Sequence, residues 1–425
     1  MKTILISFAG SALLAALAVA QSQPRYTVID LDASDPFSSG AGINNAGSVG
    51  GSANLPGYTV QRAILWRHGQ LKNLGSLGGP DSNSNGSAPN GRDEMAVLSE
   101  TSLPDPFGED FCYFGTHQMC RGAIWRDGAL RSLSNLPGGN NSQAAVMNNR
   151  SQVAGTAETN LRDTSCASVS PGQVFRFQAV VWQANGQIQS LRPPGSDTVG
   201  FALGMNDLGQ VVGSSGTCAN TSLAPLLHGP HAVLWENGTP RDLGSLSPGG
   251  MFNVAVTLNN RGEVVGGSKL ASGDLHTFLW TRATGMHDLG VIDTDLGSAP
   301  GTDGINNRGQ VVGVSCINDA GCNFLNPNFM GRAYLWQDER MMDLNSLVVG
   351  GAPLYLASAF GINDAGEIVG LAVDSSGTPH AFLATPVRGE SANESVSPTT
   401  QSLSAPALSQ SARMLLLRQS SIHGR

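Results

Sequence analysis

Arg62-Ala-Ile-Leu-Trp66, His231-Ala-Val-Leu-Trp235 and Arg332-Ala-Tyr-Leu-Trp336 are three copies of one short phrase that ends in tryptophan. All six tryptophans of the chain end such a phrase, at positions 66, 125, 182, 235, 280 and 336. The intervals between them are 59, 57, 53, 45 and 56 residues. A repeat of this length indicates that the chain consists of successive copies of one supersecondary unit.

A second phrase, built around an Asn-Asn or Asn-Asp pair, recurs with the first. Clear copies are Gly42-Ile-Asn-Asn-Ala-Gly47 and Gly304-Ile-Asn-Asn-Arg-Gly309, and the second continues as Gln310-Val-Val-Gly313. Asn, Asp and Gly tolerate positive φ, so the phrase predicts a hairpin turn between two strands. With a degenerate copy at residues 90–97, there are seven units, which we number by their first Asn: 44, 90, 148, 206, 259, 306 and 363.

Each unit contains four short predicted strands. Strand a ends at the Asn turn, strand b follows it, strand c ends at the tryptophan, and strand d contains an Asp-Leu pair, as in Met286-His-Asp-Leu289. Four strands per unit of about 50 residues are typical of β-propeller blades. We therefore predict an all-β fold, a β-propeller of seven four-stranded blades over residues 24–389. An open β repeat array is the alternative.

The two ends of the repeat region favour a closed ring. Unit 7 has a strand c, His380-Ala-Phe-Leu-Ala384, but no strand d after it. Tyr26-Thr-Val-Ile-Asp-Leu31 precedes unit 1 and matches a strand d. An N-terminal strand that completes the last blade would remove the open sheet edges of an array.

These phrases resemble the HAF family of bacterial extracellular repeat proteins, whose name phrase is present as His380-Ala381-Phe382. The resemblance covers about residues 26–389. Units 2 and 3 depart most, because residues 90–97 are degenerate and Gln178-Ala-Val-Val-Trp182 replaces the usual start of the tryptophan phrase. The resemblance implies a repeat protein secreted by a bacterium and implies no particular chemistry.

The N-terminus of the sequence indicates export, and the C-terminal segment differs in composition from the repeats. Lys2, an apolar stretch over residues 4–19 and Ala18-Val-Ala20 predict a signal peptide over residues 1–20, cleaved near Ala20, and a secreted protein, extracellular or periplasmic. The sequence has no second long apolar stretch, so it predicts no transmembrane segment. Residues 390–425 are rich in Ser, Gln, Ala and Pro and predict a low-complexity, disordered tail.

The charge of the chain bears on its partners. Charged residues make up 13% of the chain, and the net charge is −8 without a basic cluster, which argues against a nucleic-acid partner. We expect a monomer.

Six cysteines fall between strands b and c. In an exported protein an even number predicts disulfides. Cys112 with Cys120 and Cys316 with Cys322 would close loops within units 2 and 6, whereas Cys166 and Cys218 would join units 3 and 4. A zinc site is the alternative, although paired Cys-x-x-Cys spacings are missing.

The b–c loops, roughly residues 102–120, 157–176, 214–230 and 316–331, are the long, non-repeating segments. They and the d–a connections share one face of a propeller. Phe and Tyr rings on such loops are candidates for a recognition surface, the alternative being that the rings pack under their own loops. The candidate binding residues are Phe107, Phe111, Tyr113, Phe114, Phe175, Phe177, Phe324 and Phe329.

No catalytic motif is present, so no catalytic residue and no cofactor are assigned. His231, His276 and His380 recur at one repeat position, where Arg62 and Arg332 also occur, which indicates packing or hydrogen bonding. The Asn pairs are interpreted as turn formers. Asp293, Asp295 and Asp303 are the weak candidates for a Ca²⁺ site, without the spacing of a calcium loop.

The sequence therefore predicts a non-enzymatic binding scaffold that recognises a protein or a glycan through the loops on one propeller face. The alternative is a carbohydrate-active or other hydrolytic enzyme with its site at the mouth of the central channel. The acids that could serve it are Asp105, Glu109, Asp110 and Asp163.

Overall fold

The computed structural model describes residues 23–31, 38–55, 60–84, 86–169, 172–222, 228–322, 326, 328–350 and 354–387. The predicted signal peptide, the predicted tail over residues 390–425 and Phe324 lie outside these ranges. Within them, no helix has the length and apolar character needed to cross a membrane.

Each Asn turn is held by its own first asparagine. In unit 4 the Asn206 Oδ1 accepts hydrogen bonds from the backbone N–H groups of Leu208 at 3.1 Å and Gln210 at 3.0 Å. Gly209 closes the turn with φ of +82°, a conformation that glycine adopts without strain. The side chain thus satisfies two backbone donors and reverses the chain between strands a and b.

Units 1 to 5 each form a separate four-stranded antiparallel sheet, in the order a-b-c-d. These sheets are blades of a β-propeller. Before them comes β1 (Tyr26–Asp30). Their strands are β2 (Ser38–Ile43), β3 (Val49–Asn54), β4 (Gln61–Arg67), β5 (Gln70–Asn73), β6 (Gly78–Asn83), β7 (Met95–Pro104), β8 (Gln118–Arg126), β9 (Ala129–Ser132), β10 (Ser142–Met147), β11 (Val153–Arg162), β12 (Phe175–Trp182), β13 (Ile188–Ser190), β14 (Val199–Met205), β15 (Val211–Gly216), β16 (His231–Glu236), β17 (Thr239–Asp242), β18 (Asn253–Leu258), β19 (Val264–Lys269), β20 (Leu275–Thr281) and β21 (Gly285–Asp288).

The remaining strands lie in one eight-stranded sheet, in the order β1-β28-β27-β26-β22-β23-β24-β25. They are β22 (Gly297–Ile305), β23 (Val311–Cys316), β24 (Gly331–Gln337), β25 (Arg340–Asp343), β26 (Tyr355–Ile362), β27 (Ile368–Val373) and β28 (Pro379–Pro386). The strands of units 6 and 7 are joined within it by one parallel pair, Asp303 with Gly361. β1 pairs antiparallel with β28 from Tyr26–Pro386 to Asp30–Phe382.

Among the described residues, three short 3-10 helices interrupt the loops, at Thr164–Ser168, Cys218–Asn220 and Leu344–Leu347. The apolar core lies between neighbouring sheets. Trp182 and Trp235 are among the largest fully buried side chains, and each pairs with the first residue of strand b, Val153 or Val211. Ala384 takes this register position opposite Ile368 in unit 7. The repeated tryptophan is therefore chiefly a packing residue.

Candidate functional site

The three predicted disulfides are present, and all lie on the face that carries the b–c and d–a loops. We call this face the loop face. Cys112–Cys120 and Cys316–Cys322 close short loops within units 2 and 6. Cys166–Cys218 joins the loops of units 3 and 4, and its two cysteines are 52 positions apart in sequence. The bridges give the long loops a fixed attachment to the propeller body.

Most of the candidate aromatic residues pack beneath these loops. Phe111, Phe177 and four half-cystines form one buried cluster with Phe201 of unit 4, and the Phe177 and Phe201 ring centroids are 4.6 Å apart. Tyr113 and Phe114 are partly buried against the same cluster, and Phe329 is buried beside Cys316–Cys322. These rings chiefly stabilise the loops.

Phe107 differs from them because the residue is 42% exposed. Its ring meets Phe175 edge to face, with centroids 5.0 Å apart, and the Arg162 guanidinium lies 4.7 Å from its centroid. Leu161, next to Arg162, is also exposed, and so is its counterpart in unit 2, Leu103. Each of these leucines comes eight residues after the strand b residue that pairs with the tryptophan of its own unit. The ends of β7 and β11 therefore carry apolar side chains into solvent.

The four candidate acids of the loops serve as internal hydrogen-bond acceptors. Asp105 accepts from the backbone N–H of Phe107 and Glu109, and Asp110 accepts from the N–H of Gly115. Asp163 caps the helix Thr164–Ser168 and pairs with Arg176 at 2.8 Å. Of these, Asp105 and Glu109 are almost completely buried. In this arrangement the four carboxyls hold loops in place.

Glu109 also meets an acid that the sequence gave no reason to single out. The carboxyls of Glu109 and Glu158 are hydrogen-bonded to each other, and the Asn141 Nδ2 donates to both, at 3.3 and 3.1 Å. The Glu109 Oε1 accepts from the backbone N–H of Val174 in unit 3. Burial, and then the neighbouring carboxyl of Glu109, raise the pKa of Glu158. This pair fastens the loop of unit 2 to unit 3.

At the repeated His and Arg position, a side-chain nitrogen lies beside a carboxylate. His276 lies 2.9 Å from Asp288 of its own strand d, and Arg332 lies 2.7 Å from Asp295. His380 lies 2.9 Å from Asp30, which comes from β1. Asp30 thus lies beside His380 as Asp288 lies beside His276.

The three weak calcium candidates do not act together. Asp293 and Asp295 lie near Arg332, at 3.7 and 2.7 Å, whereas Asp303 faces the central channel. Within the described part of the chain, one group of three metal-type ligands comes together, Asp163 with Cys166 and Cys218, and both of its cysteines are in a disulfide.

The Asn turns form a closed ring at the opposite end of the channel. Each first asparagine donates from Nδ2 to the backbone carbonyl of the first asparagine in the next unit, as Asn206 does to Asn259 at 3.0 Å and Asn363 does to Asn44 at 3.0 Å. Seven such bonds run from unit to unit and return to the start. The same side chains therefore make the turns and link the units.

The second residue of each pair forms an outer, more exposed ring. The Asp207 carboxylate accepts from the side-chain amides of Asn149 at 2.9 Å and Asn260 at 3.1 Å. Partial burial raises the pKa of Asp207, but these amide bonds outweigh it and hold the pKa below its ordinary value. Asp364 is held in the same way. Unit 2 has Gly91 here, so the outer ring is interrupted at one position.

Inside these rings lies a cavity of about 520 Å³, lined by residues from all seven units. We call it the cup. Sequence reasoning assigned the Asn pairs as turn formers and did not predict the cup, because the inward direction of the turns depends on how the units are arranged. The one available signal was Asp303, an acid in a strand that is otherwise apolar or small.

No family model matches this sequence, and no curated protein sequence matches it. Among solved structures, a mutant puromycin hydrolase complexed with PGG superposes with a TM-score of 0.50 at 13% identity, over 81% of this chain and 51% of that chain. This chain therefore spans about half the length of the hydrolase chain. Virginiamycin B lyase from Staphylococcus aureus gives a TM-score of 0.48 at 9% identity, over 86% of this chain and 100% of that chain. At such identity the likeness to the hydrolase shows the β-propeller fold alone.

Proposed function

We propose that this chain is a non-enzymatic binding scaffold that recognises a protein or a glycan through its loop face. The observation that carries the proposal is the distribution of exposed apolar side chains. Of the eight large hydrophobic residues that are exposed in the described part of the chain, five lie on loops or strand ends of this face. They are Leu103, Phe107, Leu161, Met251 and Leu296.

Two further features support this use of the loop face. The disulfides and the buried carboxyl pair fix the loops, so a partner would meet a preorganised surface and would not have to order it. The acids Asp105, Glu109, Asp110 and Asp163 accept hydrogen bonds from, or pair with, other groups of the protein. Free carboxylates that converge on the loop face would favour a hydrolase, and these four acids are already bonded.

The proposal includes a closed ring of seven blades. The eight-stranded sheet would then be two blades that touch at a single parallel pair, and β1 would be strand d of the seventh. The cycle of seven Asn hydrogen bonds and the position of Asp30 opposite Phe382, where Asp288 stands opposite Phe278, support this arrangement. Membership of the HAF family and secretion after cleavage near Ala20 belong to the same proposal, and three disulfides are compatible with an exported protein.

The test is a binding screen of purified protein against a glycan array and a panel of secreted bacterial proteins. We expect Phe107→Ser combined with Leu161→Ser to lose the partner. The matched control is Leu208→Ser, because Leu208 is 59% exposed on the opposite face, in the Asn turn of unit 4. Partner binding that survives the double variant, in a protein with an unchanged circular dichroism spectrum, would rule out the loop face as the recognition surface.

A further inference from the structure

The cup is closed at its inner end. In most units strand a contains a bulge of one extra residue opposite strand b. In unit 1, for example, Gly40 and Gly42 of β2 pair with two consecutive residues of β3. In unit 6, β22 advances five residues, from Pro300 to Ile305, while β23 moves by two. Strand a of unit 6 therefore carries a larger bulge, and residues 301–304 leave the regular ladder.

This bulge meets unit 2 across the channel. A Cβ placed on Gly86 would lie 2.6 Å from the Thr302 Cβ, so the backbone of unit 2 is in direct contact with Thr302. The Thr302 hydroxyl donates to the Ala41 carbonyl of unit 1 at 3.2 Å. Since units 2 and 6 are not neighbours along the chain, their contact spans the axis and forms a floor. The channel is therefore a cup open at the Asn-turn face.

The wall of the cup has two layers. The rim consists of the second residues of the Asn pairs and is polar. Below it lies a belt made of the residue that precedes each pair, and every member of this belt is apolar: Ile43, Pro89, Met147, Met205, Leu258, Ile305 and Ile362. A cavity of about 520 Å³ has the dimensions of a small-molecule site, and its lining combines this apolar belt with the asparagine and aspartate side chains of the turns.

Asp303 is the acid on the floor of this cup. It lies deep in the molecule, while part of its side chain remains open to the cavity. It accepts a hydrogen bond from the backbone N–H of Ile43, and within the described part of the chain no lysine, arginine or histidine pairs with it. A carboxyl in such a place is costly to ionise unless a cation joins it.

The nearby charges do not supply that cation. The charged group that acts on Asp303 is Asp364 of the rim, which has the same sign. Arg308 and Arg150 act on the rim acids Asp364 and Asp207. None of the described residues that line the cup is basic. The floor therefore lacks a positive charge, although arginines are close to the rim.

We propose that the cup binds a small organic cation, with a primary ammonium group against the Asp303 carboxylate and an apolar body against the belt. A bare divalent metal ion fits less well. Calcium takes six to eight oxygen ligands, whereas the floor offers one carboxylate and the rim carboxylates are already bonded to asparagine amides. An anion would face Asp303 and the two rim acids.

The proton balance gives a direct signature. Burial raises the pKa of Asp303 to about 8, so at pH 7 the empty cup holds a protonated carboxyl. Binding of an ammonium ion ionises it and releases about one proton. Affinity should then rise between pH 6 and pH 8.5, and it should fall again only where the amine itself loses its proton, near pH 10.

The experiment is isothermal titration calorimetry of the purified protein with two matched probe pairs. They are 2-phenylethylamine with 2-phenylethanol, and cyclohexylmethylamine with cyclohexylmethanol. Each titration is repeated in phosphate and in HEPES, which contain no primary amine, because the difference in observed heat between buffers measures the protons released. We expect at least one amine to bind at least tenfold more tightly than its alcohol, with proton release.

Two variants locate the site. Asp303→Asn should weaken amine binding at least tenfold and abolish the proton release, while its melting temperature stays unchanged or rises because the native carboxyl is already neutral. Asp127→Asn removes one acid from an exposed turn and should bind as the wild type does. Equal binding of amine and alcohol, full binding by Asp303→Asn, or no binding of either amine by the wild type would each overturn the proposal.

Discussion

Asn206 shows how one buried side chain serves two units. Its Oδ1 closes its own turn, and its Nδ2 bonds the Asn259 carbonyl of the next unit. Replacement with alanine would leave the Leu208 and Gln210 N–H groups and the Asn259 carbonyl without this partner. Buried groups that lose their hydrogen bonds cost about 1–3 kcal/mol each, so we expect Asn206→Ala to lower the free energy of unfolding by about 2–4 kcal/mol.

Urea denaturation measures this change. Asn206→Asp is the sharper companion, since it keeps the acceptor for the turn but presents a carboxylate oxygen to the Asn259 carbonyl. It should destabilise about as much as alanine does. The control is Asn185→Ala, in an exposed turn where Asn185 accepts from the Gln187 N–H, with an expected effect within about 0.5 kcal/mol. Equal stability of Asn206→Ala and Asn185→Ala would contradict a structural role for the ring.

Glu100 gives the protein a pH-dependent stability. It is fully buried in β7, with hydrogen bonds from the Thr116 hydroxyl and, at 3.1 Å, from the Asp81 N–H. Burial raises its pKa to about 7 from an ordinary value of 4.5. Because the folded protein favours the protonated acid, its contribution to stability is fully present below pH 4.5 and is lost as pH rises to about 7.

We expect Glu100→Gln to remove this dependence. Between pH 4 and pH 8.5, the free energy of unfolding of the variant should rise by about 3 kcal/mol relative to that of the wild type. This is the free-energy equivalent of a pKa change of about 2.5 units. Chemical denaturation at both pH values measures it, with the exposed Glu339→Gln as control. A difference that stays constant with pH would show that Glu100 is ionised at little cost.

At the scale of strands, sequence and structure agree where a repeated residue has a local role. Each tryptophan lies in or ends a strand c, and each Asn pair makes a turn. The sequence did not predict that β7 and β11 continue to Pro104 and Arg162. Their last residues are mostly polar, and only pairing with β8 and β12 holds them extended.

The candidate site was harder to predict for a related reason. The ring at the Asn turns and the contact between Gly86 and Thr302 both join residues from different units, so they depend on the arrangement of the units and not on local sequence. The burial of Phe111 and Phe177 has the same origin, since a loop from one unit covers the next. A non-repeating acid, Asp303, was visible in the sequence, but its position above a floor was not.

The disulfides allow a prediction for linked elements. Cys166–Cys218 spans 52 residues and joins two units, whereas Cys316–Cys322 spans six within one unit. If a crosslink acts chiefly by restricting the unfolded chain, the long one contributes about 4 kcal/mol and the short one about 2 kcal/mol.

The matched pair is Cys166→Ala with Cys218→Ala against Cys316→Ala with Cys322→Ala, since all four sulfurs are buried. Denaturation midpoints should fall further for the first pair. An equal fall, or a larger one for Cys316 and Cys322, would mean that packing around the sulfur atoms determines the loss rather than the length of the closed loop.

At the scale of the whole molecule, the proposed closed ring depends on β1. It pairs with β28 along five residues, the Val387 N–H donates to the Arg25 carbonyl at 2.8 Å, and Asp30 lies beside His380. Without β1, the outer edge of β28 would expose unpaired backbone groups, which are a template for pairing with a second molecule. We therefore expect deletion through residue 31 to convert a monomer into dimers and aggregates, measured by light scattering after size exclusion.

A deletion through residue 21 is the control, because it leaves β1 intact, and it should remain monomeric. A synthetic peptide of residues 23–32 should restore the monomer to the longer deletion by supplying the missing strand. The same peptide with Asp30→Ala lacks the partner of His380 and should restore it less well. A monomeric longer deletion with unchanged stability would contradict closure by the N-terminal strand, since a ring that β1 closes cannot lose that strand without exposing the edge of β28.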